Sequence, residues 1–122
     1  MGVQALTGEM LFNLFVSGGK TIIDNREELN KINVFPVPDG DTGTNLSFTF
    51  TSIIENGIVY NSAGKTMKSI SEEAMSGARG NSGIILAQFF FGISNAIGET
   101  QTVTVEKFST AVKTGVSTAF DS

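Results

Sequence analysis

Residues 33–45 read Asn-Val-Phe-Pro-Val-Pro-Asp-Gly-Asp-Thr-Gly-Thr-Asn and hold both prolines of the 122-residue chain. Each proline pushes the residue before it out of the α region, so Phe35 to Pro38 form an extended entry that no helix can run through. Gly40 and Gly43 then allow backbone turns closed to other residues. Asp39 and Asp41 alternate with a glycine, so both carboxylates can converge on one point. Thr44 or Asn45 can cap a helix that follows. Such a loop suits a hard cation held beside an anion at a helix N-terminus.

On both sides of this loop the apolar spacing is helical. Leu11, Leu14, Phe15, Ile22, Leu29 and Ile32 predict a first helix over about 8–31, with Thr7 as its N-cap. Gly18 and Gly19 fall inside it and mark a place for a kink or split. Asn25 lies on the apolar stripe and reads as a hydrogen-bonded core amide. A second helix, about 44–55, puts Leu46, Phe50, Ile53 and Ile54 on one face, and Asn56-Gly57 ends it. A third, about 65–76, turns Met67, Ile70, Ala74 and Met75 inward.

The fourth helix, about 82–97, is apolar nearly all round: Ile84, Ile85, Leu86, Phe89, Phe90, Phe91 and Ile93. A helix of this kind is buried on all sides or faces a partner. Gly98 stops it. Thr104 caps a fifth helix in which Val105, Phe108, Val112, Val116 and Ala119 are in phase. No strand run, repeat or low-complexity segment stands out. The fold class is all-α, an antiparallel up-and-down helical bundle.

Composition removes several chemistries. The net charge is −4 with no basic patch, which argues against nucleic-acid binding through phosphates. The chain has no cysteine, hence no disulfide and no thiol chemistry. It has no histidine, which removes the commonest general base and the usual zinc ligand. Its longest apolar stretch is shorter than the roughly 20 residues of a membrane span, and the N-terminus lacks a basic-then-apolar signal pattern. A soluble cytoplasmic protein is expected.

Three motifs carry possible chemistry. An EF-hand loop counted from Asp39 would need glycine and glutamate where Thr44 and Phe50 stand. A phosphoaspartate hydrolase would carry its Asp-x-Asp at the end of an apolar strand, which Val37-Pro38 forbids. A cation–phosphate loop and a plain Asx-rich capping turn both remain for Asp39-x-Asp41. Gly64-Lys65-Thr66 looks like the end of a phosphate-binding P-loop, but Val59 stands where that pattern needs glycine, so a helix start is the better reading. Gly77-Ala78-Arg79-Gly80-Asn81-Ser82-Gly83 is either a tight helix–helix turn or an anion site, with Arg79 adding charge and Ser82 a hydroxyl. In an up-and-down bundle this turn and the 33–45 loop fall at the same end, which favours a shared phosphate–metal site.

Residues 33–45 and 77–86, in this order and at this separation, resemble the nucleotide-binding domain of the dihydroxyacetone kinase L-subunit family, and within it the bacterial fatty acid kinase branch. The similarity runs over the whole chain. It implies an eight-helix antiparallel barrel that binds ATP and Mg²⁺ at one end. Asp39 and Asp41 would hold the magnesium and serve as the catalytic carboxylates. Thr42, Gly43, Thr44 and Asn45 would contact the phosphates, with Arg79, Gly80, Asn81 and Ser82 on their other side. Asn33 stands, offset by one residue, where dihydroxyacetone kinases carry a third aspartate, and an amide oxygen ligates without adding charge.

The resemblance also implies that the acceptor is carried by a separate acyl-binding, or dihydroxyacetone-binding, partner protein. The expected function is thus the ATP–Mg²⁺-binding part of a fatty-acid-type kinase. The alternatives are a dihydroxyacetone kinase nucleotide subunit and a non-enzymatic helical module for a phosphate-bearing ligand or a partner protein. Because the family domain continues for several helices, about five of the eight are expected here. Such a truncated domain is expected to be inactive alone, and either to form a homo-oligomer through its last two helices or to be loosely packed there.

Overall fold

The computed structural model describes residues 4–31 and 40–121. Among the described residues six helices follow in order: α1 (Gly8–Asp24), α2 (Arg26–Lys31), α3 (Thr42–Asn56), α4 (Ala63–Ser76), α5 (Gly80–Ile97) and α6 (Val105–Asp121). The all-α class holds. One two-stranded antiparallel ribbon was not expected: β1 (Ala5–Leu6) pairs with β2 (Val103–Thr104), with Leu6 opposite Val103. Two residues per strand are too few for a period-2 pattern to be visible in sequence.

The expected first helix is two helices, and the break is at Asn25 rather than at Gly18–Gly19. The Asn25 side-chain amide donates to the Thr21 carbonyl at 2.8 Å, competing for the acceptor that its own backbone N–H uses at 3.2 Å. Such local side-chain bonding offers the backbone an exit from the helix. Asn25 is exposed, not a core amide. Gly19, by contrast, sits where a Cβ would meet the Phe50 ring, so the helix continues there and packs closely.

Caps set the other boundaries. Thr7 accepts from the Met10 N–H at 3.2 Å and Thr104 from the Lys107 N–H at 3.0 Å, both as expected. The start of α3 is two residues earlier than expected, with Asp41 rather than Thr44 or Asn45 at the N-cap position. Ser62 caps α4 by accepting from the Lys65 N–H at 3.2 Å. Gly98, at φ 65°, closes α5.

The core is an aromatic cluster on aliphatic walls. Phe90, 1% exposed, meets Phe15 edge-on at 5.2 Å between centroids and Phe50 at 5.9 Å. Such edge-to-face pairs add about 0.5–1.5 kcal/mol beyond area burial. Leu11, Ile53, Met67, Ile70 and Ile93 complete it, all fully buried. Leu14, Met75, Val105 and Val116 were expected inward and are exposed. On α6 the buried positions are Ala111 and Gly115, and Gly115 lies against the Phe89 carbonyl and Ile93 of α5. The α5–α6 seam is therefore built on small residues, a contact that apolar periodicity does not report. Ile84, Ile85 and Phe91 of α5 remain exposed, as its all-round apolar sequence suggests.

Direction alternates from α3 to α4 to α5. The start of α4 is tied to the far end of α5, with the Gly64 N–H donating to the Thr100 carbonyl and the Ser62 hydroxyl to the same oxygen. At the opposite end, the turn after α4 meets α3, where the buried Thr49 hydroxyl lies 3.3 Å from the Gly77 carbonyl. Helices α3 and α5 consequently begin side by side.

Candidate functional site

The site is built from those two helix starts. Gly43, in the first turn of α3, is buried where a Cβ would overlap the Arg26 carbonyl, so α2 crosses the turn at backbone contact. Gly80 opens α5 at φ 66°, a left-handed conformation that favours glycine, and a Cβ there would overlap the side-chain amide of Asn45. The Ser82 hydroxyl lies 3.5 Å from the Thr42 carbonyl. The 42–45 turn and the 79–82 turn are thereby brought together, one against the other.

Each expected residue in the described part has a definite place. Asp41 is half-buried at the N-cap position of α3, and its side chain makes no capping hydrogen bond. Thr42 and Asn45 are half-buried, and Thr44 is exposed. Arg79, Gly80 and Asn81 are exposed, and Ser82 is half-buried. The Arg79 guanidinium stacks on the Phe48 ring, 3.7 Å from its centroid. Asn33 and Asp39 lie outside the described residues, as does the whole proline-bearing entry from Phe35 to Pro38.

Two helix N-termini and a guanidinium meet at one end, an arrangement whose charge would suit an anion. The first-turn N–H groups of a helix lack intrahelical partners, and the helix dipole adds partial positive charge there. A negative group between the two starts would relieve the repulsion of their like ends. Among the described residues of these turns, the donors for a metal are oxygens, from the Asp41 carboxylate and the Thr42 hydroxyl, which suit a hard cation such as Mg²⁺. Among the described residues no three metal-ligating side chains gather. Along the length of α3 runs a cleft of about 440 Å³, lined by Ile23, Arg26, Thr44, Phe48, Ser52 and Asn56 among others. The Ser47 hydroxyl is buried at its wall with no hydrogen-bond partner among the described residues.

Three contributors were not legible in the sequence. Phe48, which supports Arg79, lies off the apolar face of α3 and reads as a surface residue. Thr49 reads as polar surface yet is fully buried as the link to Gly77. Asn30 pairs with Thr44 through both ends of its amide. The one available signal is helical spacing: Thr49 falls one turn after Asn45, on the face that meets α5. The Gly64-Lys65-Thr66 motif is far from this site. The Thr66 hydroxyl is committed to Tyr60, accepting from its N–H at 2.9 Å and donating to its carbonyl at 3.1 Å. It is a helix start.

Comparison with known proteins shows the family. Residues 36–122 match the family model of the DAK2 domain. An uncharacterized protein of Staphylococcus epidermidis is 36% identical over 121 residues, as is one of Staphylococcus saprophyticus. One of Staphylococcus haemolyticus is 34% identical over the same length. These alignments cover 97% of this chain and 22% of each relative, so the chain spans about a fifth of their length. No described helix is long and apolar enough to cross a membrane.

Proposed function

The chain belongs to the DAK2 domain family, a nucleotide-binding module of the dihydroxyacetone kinase family, and on that premise we propose that it binds ATP with Mg²⁺ for phosphoryl transfer to a fatty acid presented by a separate acyl-binding protein. The observation that carries the nucleotide reading is the meeting of the α3 and α5 starts, with Ser82 on Thr42 and Gly80 on Asn45. The fatty acid branch rests on the resemblance carried by residues 33–45 and 77–86. Chemistry agrees with a separate carrier, because a chain with no histidine and no cysteine offers neither nucleophile for holding an acceptor covalently.

In this reading Asp39, Asp41 and Asn33 would hold the metal. Thr42, Gly43, Thr44 and Asn45 flank the phosphates on one side, and Arg79, Gly80, Asn81 and Ser82 on the other. Thr44 contributes by its place in the turn, since Asn30 engages its N–H and hydroxyl. Bound Mg²⁺ would supply charge neutralisation at the phosphate oxygens, the larger part of what phosphoryl transfer needs. The protein's share is positioning. Arg79, held over Phe48, is a cation already at the site with a planar fork suited to phosphate oxygens.

Arg79 gives the test. A hydrogen bond to a charged group is worth about 1.5–3 kcal/mol, or roughly 10- to 150-fold in affinity. Arg79→Ala should weaken ATP by that factor and leave adenosine binding nearly unchanged, as read by calorimetry. Equal losses for the two ligands would make Arg79 a turn residue and contradict the phosphate reading.

A further inference from the structure

Arg79 stands at the N-cap position of α5, where its side chain makes no capping hydrogen bond. It crosses instead to α3 and lays its guanidinium on the Phe48 ring, 3.7 Å from the centroid. A cation this close to a ring face is attracted by the ring quadrupole. Among the described residues the guanidinium has no ion pair and no side-chain hydrogen bond. Phe48 is 44% exposed and takes no part in the buried core, so core packing does not account for an aromatic side chain there.

We propose that Phe48 is a positioning residue, holding Arg79 for the phosphates of the nucleotide. A carboxylate and an aromatic ring hold an arginine in different ways. A carboxylate neutralises the guanidinium and occupies its N–H edge, often in a bidentate pair. A ring covers only the flat face. The positive charge and the N–H donors at the edge are left for a ligand, in the planar fork that suits phosphate oxygens. The ring also fixes the plane of that fork before the ligand arrives. A long side chain ordered in advance loses less entropy on binding. This inference rests on the nucleotide reading above.

The full-length protein tests it with two readouts. In the nucleotide-free protein the Arg79 side-chain protons lie over the ring. Its ring current should shift their resonances upfield, and Phe48→Leu should remove that shift. Calorimetry gives the affinity for ATP in the presence of Mg²⁺, with adenosine as the reference ligand. Phe48→Leu keeps an apolar side chain and loses the aromatic face. It should weaken Mg²⁺–ATP roughly 2- to 12-fold, the ordering cost of one long side chain, and leave adenosine unchanged. Phe48→Tyr keeps the face and should bind ATP as the unsubstituted protein does. In an Arg79→Ala background Phe48→Leu should cause no further loss, because the ring acts only through the guanidinium.

Loss of the upfield shift in Phe48→Leu with unchanged Mg²⁺–ATP affinity would overturn this inference alone. So would equal losses for ATP and adenosine, which would put Phe48 against the base, or an undiminished effect of Phe48→Leu in the Arg79→Ala background. Absence of ATP binding in the unsubstituted protein would overturn the nucleotide reading and this inference with it.

Discussion

Gly43→Ala should destabilise the fold and cost the protein most of its Mg²⁺–ATP affinity, whereas Gly18→Ala should make it more stable. Both glycines are helical, so both substitutions gain up to about 1 kcal/mol of helix propensity. Gly18 is exposed, with nothing within 4 Å of where an added methyl would sit, so it keeps that gain. At Gly43 the methyl would meet the carbonyl oxygen, carbonyl carbon and Cα of Arg26. These are backbone atoms, so α2 as a whole must move. Overpacking of this kind costs typically about 1–3 kcal/mol, which exceeds the gain. The displaced helix also carries Asn30, so the pair with Thr44 is lost in the same step. Thermal unfolding should place the two variants on opposite sides of the unsubstituted chain. A Gly43→Ala variant as stable as Gly18→Ala would show that α2 is not fastened to α3 as described.

Asp41→Asn should separate fold from function. Asparagine is as good an N-cap residue as aspartate and is nearly the same size. The substitution removes a negative charge beside a helix start, a term of about 0.3–1 kcal/mol. The proposed metal would lose a carboxylate ligand. Removing outer-shell partners of a metal already costs about 10- to 100-fold, so a direct ligand should cost at least that. Calorimetry of Asp41→Asn should show ATP binding that no longer responds to Mg²⁺, in a protein with unchanged helicity. A full response to Mg²⁺ would remove Asp41 from the metal site.

The helices were legible because their determinants are local. Thr7 and Thr104 announce their caps, and Gly98 its stop. The apolar spacing of α3 and α4 finds Phe50, Ile53, Met67 and Ile70 in the core. The juxtaposition of the 42–45 and 79–82 turns followed from alternating direction alone. What was missed depends on competition or on partners distant in sequence. Asn25 and the Gly18–Gly19 pair both weaken a helix, and propensity ranks the glycines as the worse offenders. Packing of Gly19 on Phe50 reverses the order, and the Asn25 amide takes the Thr21 carbonyl. The Asn30–Thr44 pair spans fourteen residues, and the Arg79–Phe48 stack joins two helix starts. Neither leaves a spacing rule behind. The small-residue seam of Gly92 and Gly115 is invisible for the same reason, since periodicity counts large apolar side chains.

In this reading two helix starts and the aspartate loop form one site for a nucleotide and its metal. Titration of ATP into the full-length protein, once with Mg²⁺ and once with chelator, tests it most directly. Saturable binding is expected with Mg²⁺, weakened at least tenfold by the chelator, a difference of about 1.4 kcal/mol or more. Equal affinity under the two conditions, or no binding in either, would contradict it.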